Sequence, residues 1–171
     1  MAVARNIRAM TATPDDLFAR LNALGLETTT VDHPAVFTVE EAKAHRGDLA
    51  GGHSKNLFLK DKKGVLWLVV TLEDRAIDMK DLRRRIGSAP LSFGKLELLE
   101  DVLGVTPGSV TPFALINDRE TRLRVVLDQE MMGCELLNYH PLVNTQTTQI
   151  TPDGLLAFIR DCGHEPEVVQ L

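Results

Sequence analysis

The stretch Ser54-Lys55-Asn56-Leu57-Phe58-Leu59-Lys60-Asp61, Lys62-Lys63-Gly64, Val65-Leu66-Trp67-Leu68-Val69-Val70-Thr71 reads as two β-strands joined by a tight turn. Two apolar-rich runs separated by a short break ending in glycine form a hairpin. The second run is apolar on both faces, so it belongs at the centre of a sheet with cover on either side. In the first run side chains alternate, which puts Lys55 on the same face as Leu57 and Leu59.

Working outward, Asp78 to Ile86 and Lys95 to Leu103 each carry a helical apolar stripe, closed by Gly87 and Gly104. Val105 to Pro112 is a Pro/Gly loop. Strands are predicted at Phe113–Asn117, Leu123–Asp128, Glu135–Tyr139 and Thr145–Ile150, and Thr151-Pro152-Asp153 starts a last helix ending at Gly163, followed by a short tail strand. Upstream, Thr13 caps a helix from Pro14 to about Leu24, ended by Gly25. A threonine-rich strand, Glu27 to Asp32, stops at His33-Pro34. Thr38-Val39-Glu40-Glu41 is a capping box for a short helix to His45, and Gly47, Gly51 and Gly52 mark a loop. This order is not a regular βαβα alternation. It predicts one α/β (α+β) domain over residues 14–171, a mixed, largely antiparallel, curved sheet flanked by helices rather than a Rossmann fold. Residues 1–13 are expected to be a leader, either disordered or an expression scar, with Met10 an alternative start.

The composition excludes several classes. With 171 residues, 44% hydrophobic and 25% charged, the chain buries a core without metal or disulfide support. Cys134 and Cys162 form no CxxC pair, which argues against a cysteine zinc site and fits a reducing compartment. No apolar run reaches the length of a membrane span, and the N-terminus has no signal-peptide h-region, so no membrane association and a cytoplasmic location are expected. The net charge of −5 argues against a generic nucleic-acid coat. Yet the segment Lys43 to Lys63 holds Lys43, Arg46, Lys55, Lys60, Lys62 and Lys63 against Asp48 and Asp61. An acidic body with one basic face suits a polyanion held at one place; a solvated charged face is the alternative.

No GxGxxG, P-loop, GxSxG or HExxH motif is present, and the five histidines are not paired at metal-ligand spacing, so no metal site is expected. Cys162 shares a helical stripe with Leu155 and Ile159 and reads as core; Cys134 has no base near it in sequence. Lys55 points inward, toward an anion or a cavity, if its strand has begun; otherwise it is in solvent. The segment Gly104 to Pro112 is either a rigid loop presenting backbone N–H groups or a plain connection. His140, before Pro141, stands at a strand end, a place where sites and ordinary surface histidines both occur.

Taken in order, His33-Pro34 with Thr38 to Ala42, Lys55 to Leu59, Gly87-Ser88 with Leu91-Ser92-Phe93, Leu103 to Val105, Gly108 to Phe113, and His140 to Thr145 carry a resemblance. The chain from about Pro14 to Leu171 resembles the YbaK/ProRS-associated family of trans-editing aminoacyl-tRNA deacylases, and within it the free-standing prolyl-tRNA editing proteins of the ProX type. The resemblance implies hydrolysis of a mischarged amino acid from tRNA, with alanine on proline tRNA the leading substrate. Cysteinyl-tRNA deacylation, or a non-catalytic module binding tRNA or a synthetase, are the alternatives. It implies that Lys55 is the essential lysine and Asn56 its functional neighbour. Gly108, Ser109, Val110, Thr111 and Pro112 match the substrate-binding GxxxP loop, and His140 matches the histidine of the HP motif. The expected partners are the acceptor end of proline tRNA, met by Lys60, Lys62 and Lys63, and prolyl-tRNA synthetase; no cofactor is implied. An aminoacyl ester is already activated, so a positioned water and stabilised charge suffice without a protein nucleophile.

Overall fold

The computed structural model describes residues 11–35, 38–45 and 49–171. Its elements are α1 (Pro14–Ala23), β1 (Thr29–Asp32), α2 (Val39–His45), β2 (Gly52–Asp61), β3 (Leu66–Leu72), α3 (Met79–Ile86), β4 (Leu91–Phe93), α4 (Leu96–Leu103), β5 (Leu123–Asp128), β6 (Leu137–Tyr139), β7 (Gln146–Ile150), α5 (Pro152–Asp161) and β8 (Glu167–Val169). Short 3-10 turns lie at Pro107–Ser109, Pro112–Asn117 and Met131–Gly133. The strands form one mixed sheet in the order β1-β7-β6-β2-β3-β5-β8, with β4 also on β2. Pairs β1–β7, β2–β3, β2–β4 and β6–β7 are antiparallel, while β2–β6, β3–β5 and β5–β8 are parallel. The expected mixed, largely antiparallel sheet is present.

The hairpin sits where its sequence requires. On one face Leu66, Leu68 and Val70 of β3 join Phe58 and the apolar stripes of α1, α4 and α5 in the main core. On the other, Trp67 and Val69 pack with Leu59, Val126 and the α3 residues Leu82 and Ile86. The helix signals act as expected. Thr13 and Asp16 form a capping box on α1, and Gly87 and Gly104 adopt the left-handed conformation that closes α3 and α4.

Two segments differ from expectation. Phe113–Asn117 belongs to a 3-10 turn, because Thr111 accepts the Phe113 N–H and Pro112 occupies the first helical position. Leu91–Phe93 is a short strand that Pro90 and Gly94 obscure in the sequence. Residues 1–10 of the expected leader lie outside the described residues, as do Arg46, Gly47 and Asp48; the Ala12 N–H donates to Asn117 Oδ1. No helix among the described residues is long and apolar enough to cross a membrane.

What positions a site is a split in the sheet beside β2. One edge of β2 is paired with β3 from Ser54 to Lys60. The other edge pairs with β6 at Gly52 and His53 and with β4 at Leu59 to Asp61. Between these, among the described residues, no strand pairs with Ser54–Phe58 on that edge, and Lys55 and Asn56 lie in the gap.

Candidate active site

Because β2 begins at Gly52, Lys55 is already within the strand and alternates with Leu57 and Leu59 toward the α3 layer. The side chain is half-buried, and its ammonium donates to the Arg75 carbonyl. Opposite Lys55 in register, Thr71 donates from its hydroxyl to Asp128, 2.6 Å away, and the Arg75 guanidinium reaches the same carboxylate at 2.8 Å. Burial raises the pKa of Asp128, but the hydrogen bonds from Thr71 and Arg75 outweigh it and hold the carboxyl below its ordinary value. The backbone carrying the Lys55 acceptor is thus anchored by the ion pair of Arg75 with the buried Asp128.

Asn56 faces the opposite way, with Ser54 and Phe58. Its carbonyl oxygen Oδ1 is buried and has no hydrogen-bond partner. Such an atom costs about 1–3 kcal/mol and needs an explanation. On β6, the Asn138 amide donates to the carbonyls of Ala50 and Gly52 at 3.0 and 3.2 Å, which fastens the start of β2 to the strand that leads into His140.

His140 follows β6 directly. Its Nδ1 lies 2.9 Å from the Gln146 carbonyl. A carbonyl only accepts, so Nδ1 carries the proton and Nε2 of the neutral ring is left with a lone pair. Burial lowers the His140 pKa, and neighbouring His33 adds to the effect against the opposing Gln146 hydrogen bond. The two imidazoles are 5.9 Å apart, and His33 is itself fixed by Thr147 Oγ1 at 2.7 Å and the Pro34 carbonyl at 2.8 Å. Two residues on, Leu142 has φ +70°, a left-handed conformation that Leu rarely adopts, in the turn leaving His140.

The segment Gly108–Pro112 is built, not slack. Ser109, Thr111 and Pro112 are buried, and the Phe113 ring after them meets Tyr139 edge-on at 5.9 Å. Tyr139 donates its hydroxyl to Met131 Sδ at 3.2 Å, and Ser54 does the same at 3.3 Å. Ser54, two residues before Asn56, and Tyr139, next to His140, therefore meet on Met131, and Tyr139 in turn meets Phe113, next to Pro112. The structure places Lys55 at the same end of β2 on the opposite face, while Lys60, Lys62 and Lys63 stand at the far end and in the hairpin turn.

Sequence spacing could not find His33 as the companion of His140, since 107 residues separate two rings joined only by the pairing of β7 with its neighbours. Nor did it mark Arg75 or Met131, whose roles exist only in three dimensions. Cys162 packs against the main core, and burial pushes its thiol up to about 11, the inert behaviour its stripe predicts. Among the described residues no group of three or more His, Cys, Asp or Glu is placed to hold a metal ion.

Residues 33–158 match the family model described as the aminoacyl-tRNA editing domain. The chain is 42% identical over 151 residues to the prolyl-tRNA synthetase associated domain-containing protein 1 of Danio rerio, covering 87% of this chain and 82% of that one. It is 33% identical over 156 residues to the prolyl-tRNA editing protein ProX of Acetoanaerobium sticklandii, covering 91% and 95%. Among solved structures, a candidate trans-editing enzyme for prolyl tRNA synthetase superposes with a TM-score of 0.66 at 21% identity, covering 94% of this chain and 98% of that one, a likeness of fold.

Proposed function

The chain belongs to the aminoacyl-tRNA editing domain family, and from that premise we propose that it hydrolyses the ester of mischarged tRNA in trans, with alanyl-tRNA(Pro) as substrate. The observation that supports this best is the buried, unpartnered Oδ1 of Asn56 beside the split in the sheet. It is an acceptor awaiting a donor, and the α-amino group of an aminoacyl ester is a donor of the right kind. Lys55, on the other face of the same strand end, holds a phosphate or the ribose of the terminal adenosine. His140 Nε2 accepts a hydrogen bond from the attacking water or a ribose hydroxyl. Backbone N–H groups of Gly108, Val110 and Thr111 meet the charge that develops on the carbonyl oxygen. Water adds to the carbonyl carbon, the tetrahedral intermediate collapses, and the ester oxygen leaves with a proton as the ribose hydroxyl. No protein nucleophile is needed, because the ester is already activated. Selectivity is a matter of size: the pocket admits alanine and excludes the ring of proline.

A panel of charged tRNAs incubated with sub-stoichiometric protein tests this. The expected result is multiple turnover of alanyl-tRNA(Pro), slower loss of cysteinyl-tRNA and no loss of prolyl-tRNA(Pro). Preference for cysteinyl-tRNA reassigns the substrate within the same chemistry. Binding of every tRNA without turnover of any overturns the enzyme reading and leaves a binding module.

A further inference from the structure

At the far end of β2 from Lys55, β4 lies along Leu59–Asp61, and the Gly94 N–H donates to the Phe58 carbonyl at 2.9 Å. A Cβ on Gly94 would overlap the Phe58 ring, so this backbone presses directly on the core. The neighbouring Phe93 is left 66% exposed, at a groove of about 760 Å³ walled by Lys60, Lys62, Ser92 and Lys95. All three lysines are exposed, and among the described residues none of them is in an ion pair. The nearby acids are largely engaged. Asp61 is buried and accepts from the N–H groups of Lys63 and Val65 and from Trp67 Nε1, and Asp101 pairs with Arg122 at 3.0 Å. The lining holds three lysines and three acids, but its exposed charges outside any ion pair among the described residues are the three lysines against Glu97 alone, around an exposed aromatic ring.

A lone exposed phenylalanine needs no explanation, but one flanked by three exposed lysines that only Glu97 opposes has the make-up of a base-stacking platform with phosphate contacts on either side. We propose that this groove is a second contact for the nucleic acid: the Phe93 ring stacks on an unpaired base of the tRNA substrate, and Lys60, Lys62 and Lys95 hold the flanking phosphates. This rests on the reading that charged tRNA is the substrate. Lys60 is five residues along the strand from Lys55, about 17 Å at the usual strand rise. A strand whose 3′ end enters the split in the sheet crosses Phe93 a few nucleotides upstream.

Phe93→Trp turns the platform into a reporter, since the native Trp67 is only 1% exposed. Uncharged tRNA, and a short single-stranded RNA ending in CCA, should quench the new indole on binding. Phe93→Ala should weaken tRNA binding about tenfold, the scale of one lost stacking contact, with Phe93→Tyr restoring it and Phe93→Leu not. Lys62→Ala and Lys95→Ala should each reduce the slope of log affinity against log salt by about one. Circular dichroism of each variant separates misfolding from lost contact, and the tyrosine variant keeps the question decidable. An unquenched indole together with wild-type affinity in Phe93→Ala overturns the proposal and leaves the patch to a protein partner. The binding arm involves no chemistry, so it decides the groove even if no charged tRNA is hydrolysed; hydrolysis with unaltered Phe93→Ala affinity removes the groove alone.

Discussion

Lys55 contributes little packing where it stands, with its stem half-buried at a strand start and its head on a backbone carbonyl. Lys55→Ala should therefore lower deacylation about 100-fold or more while moving the melting temperature little, a split that stopped-time hydrolysis and calorimetry can read together. Near-normal turnover would remove Lys55 from the site. In the role proposed for His140 the neutral ring is the working form, and its pKa lies below the ordinary 6.5. As pH rises through that lowered value the ring loses its proton and Nε2 becomes an acceptor, so kcat/KM should climb to a plateau reached before pH 7. A kcat/KM that falls as pH rises through the acid range contradicts an acceptor role. Alternation along the strand made the direction of Lys55 legible once the strand's start was known. The tautomer of His140 was not legible, because it depends on Gln146, which reaches it through a turn with Leu142 in a left-handed conformation.

Elements with a strong period or a cap were legible: the hairpin, α1 with its capping box, and α3 and α4 with their closing glycines. The turn at Pro112–Asn117 was not, since Phe113, Ala114 and Leu115 are all buried and apolar in succession, a pattern that a buried strand shares. The β2–β3 hairpin owes its geometry to Asp61, whose carboxylate takes the N–H groups of Lys63, Val65 and Ala89 and the Trp67 indole. Asp61→Ala leaves these donors without their acceptor at the point where β4 joins, and should cost on the order of 2–4 kcal/mol in chemical denaturation. A loss under about 0.5 kcal/mol would show that water replaces the carboxylate, as at an ordinary surface site.

At the scale of the molecule, the fold class followed from the order of elements, but the split along β2 did not, because register between distant strands is set by packing rather than by local pattern. Three buried carboxylates, Asp61, Asp118 and Asp128, have their pKa values held below the ordinary range; burial pushes each up and hydrogen bonds more than reverse it. Each contributes stability above its unfolded value near 4 and loses it as pH falls through the lower folded value; His140, lowered by burial, takes stability away earlier, below its unfolded value near 6.5, so unfolding free energy should decline modestly below about pH 6.5 and further below about pH 4. Charge is segregated as well. Lys43 pairs with Asp74 near the Lys55 end of β2, and Lys60, Lys62 and Lys95, in no ion pair among the described residues, gather at the other. On the proposed reading, attraction to tRNA and recognition of the amino acid reside in different parts of the protein, and only the first should respond to salt. The decisive measurement is the hydrolysis of alanyl- and prolyl-tRNA(Pro) at subsaturating tRNA between about 50 and 200 mM salt, where several phosphate contacts weaken strongly. The account predicts that cleavage of alanyl-tRNA slows steeply while prolyl-tRNA stays intact throughout; equal cleavage of the two, or a rate indifferent to salt, would contradict it.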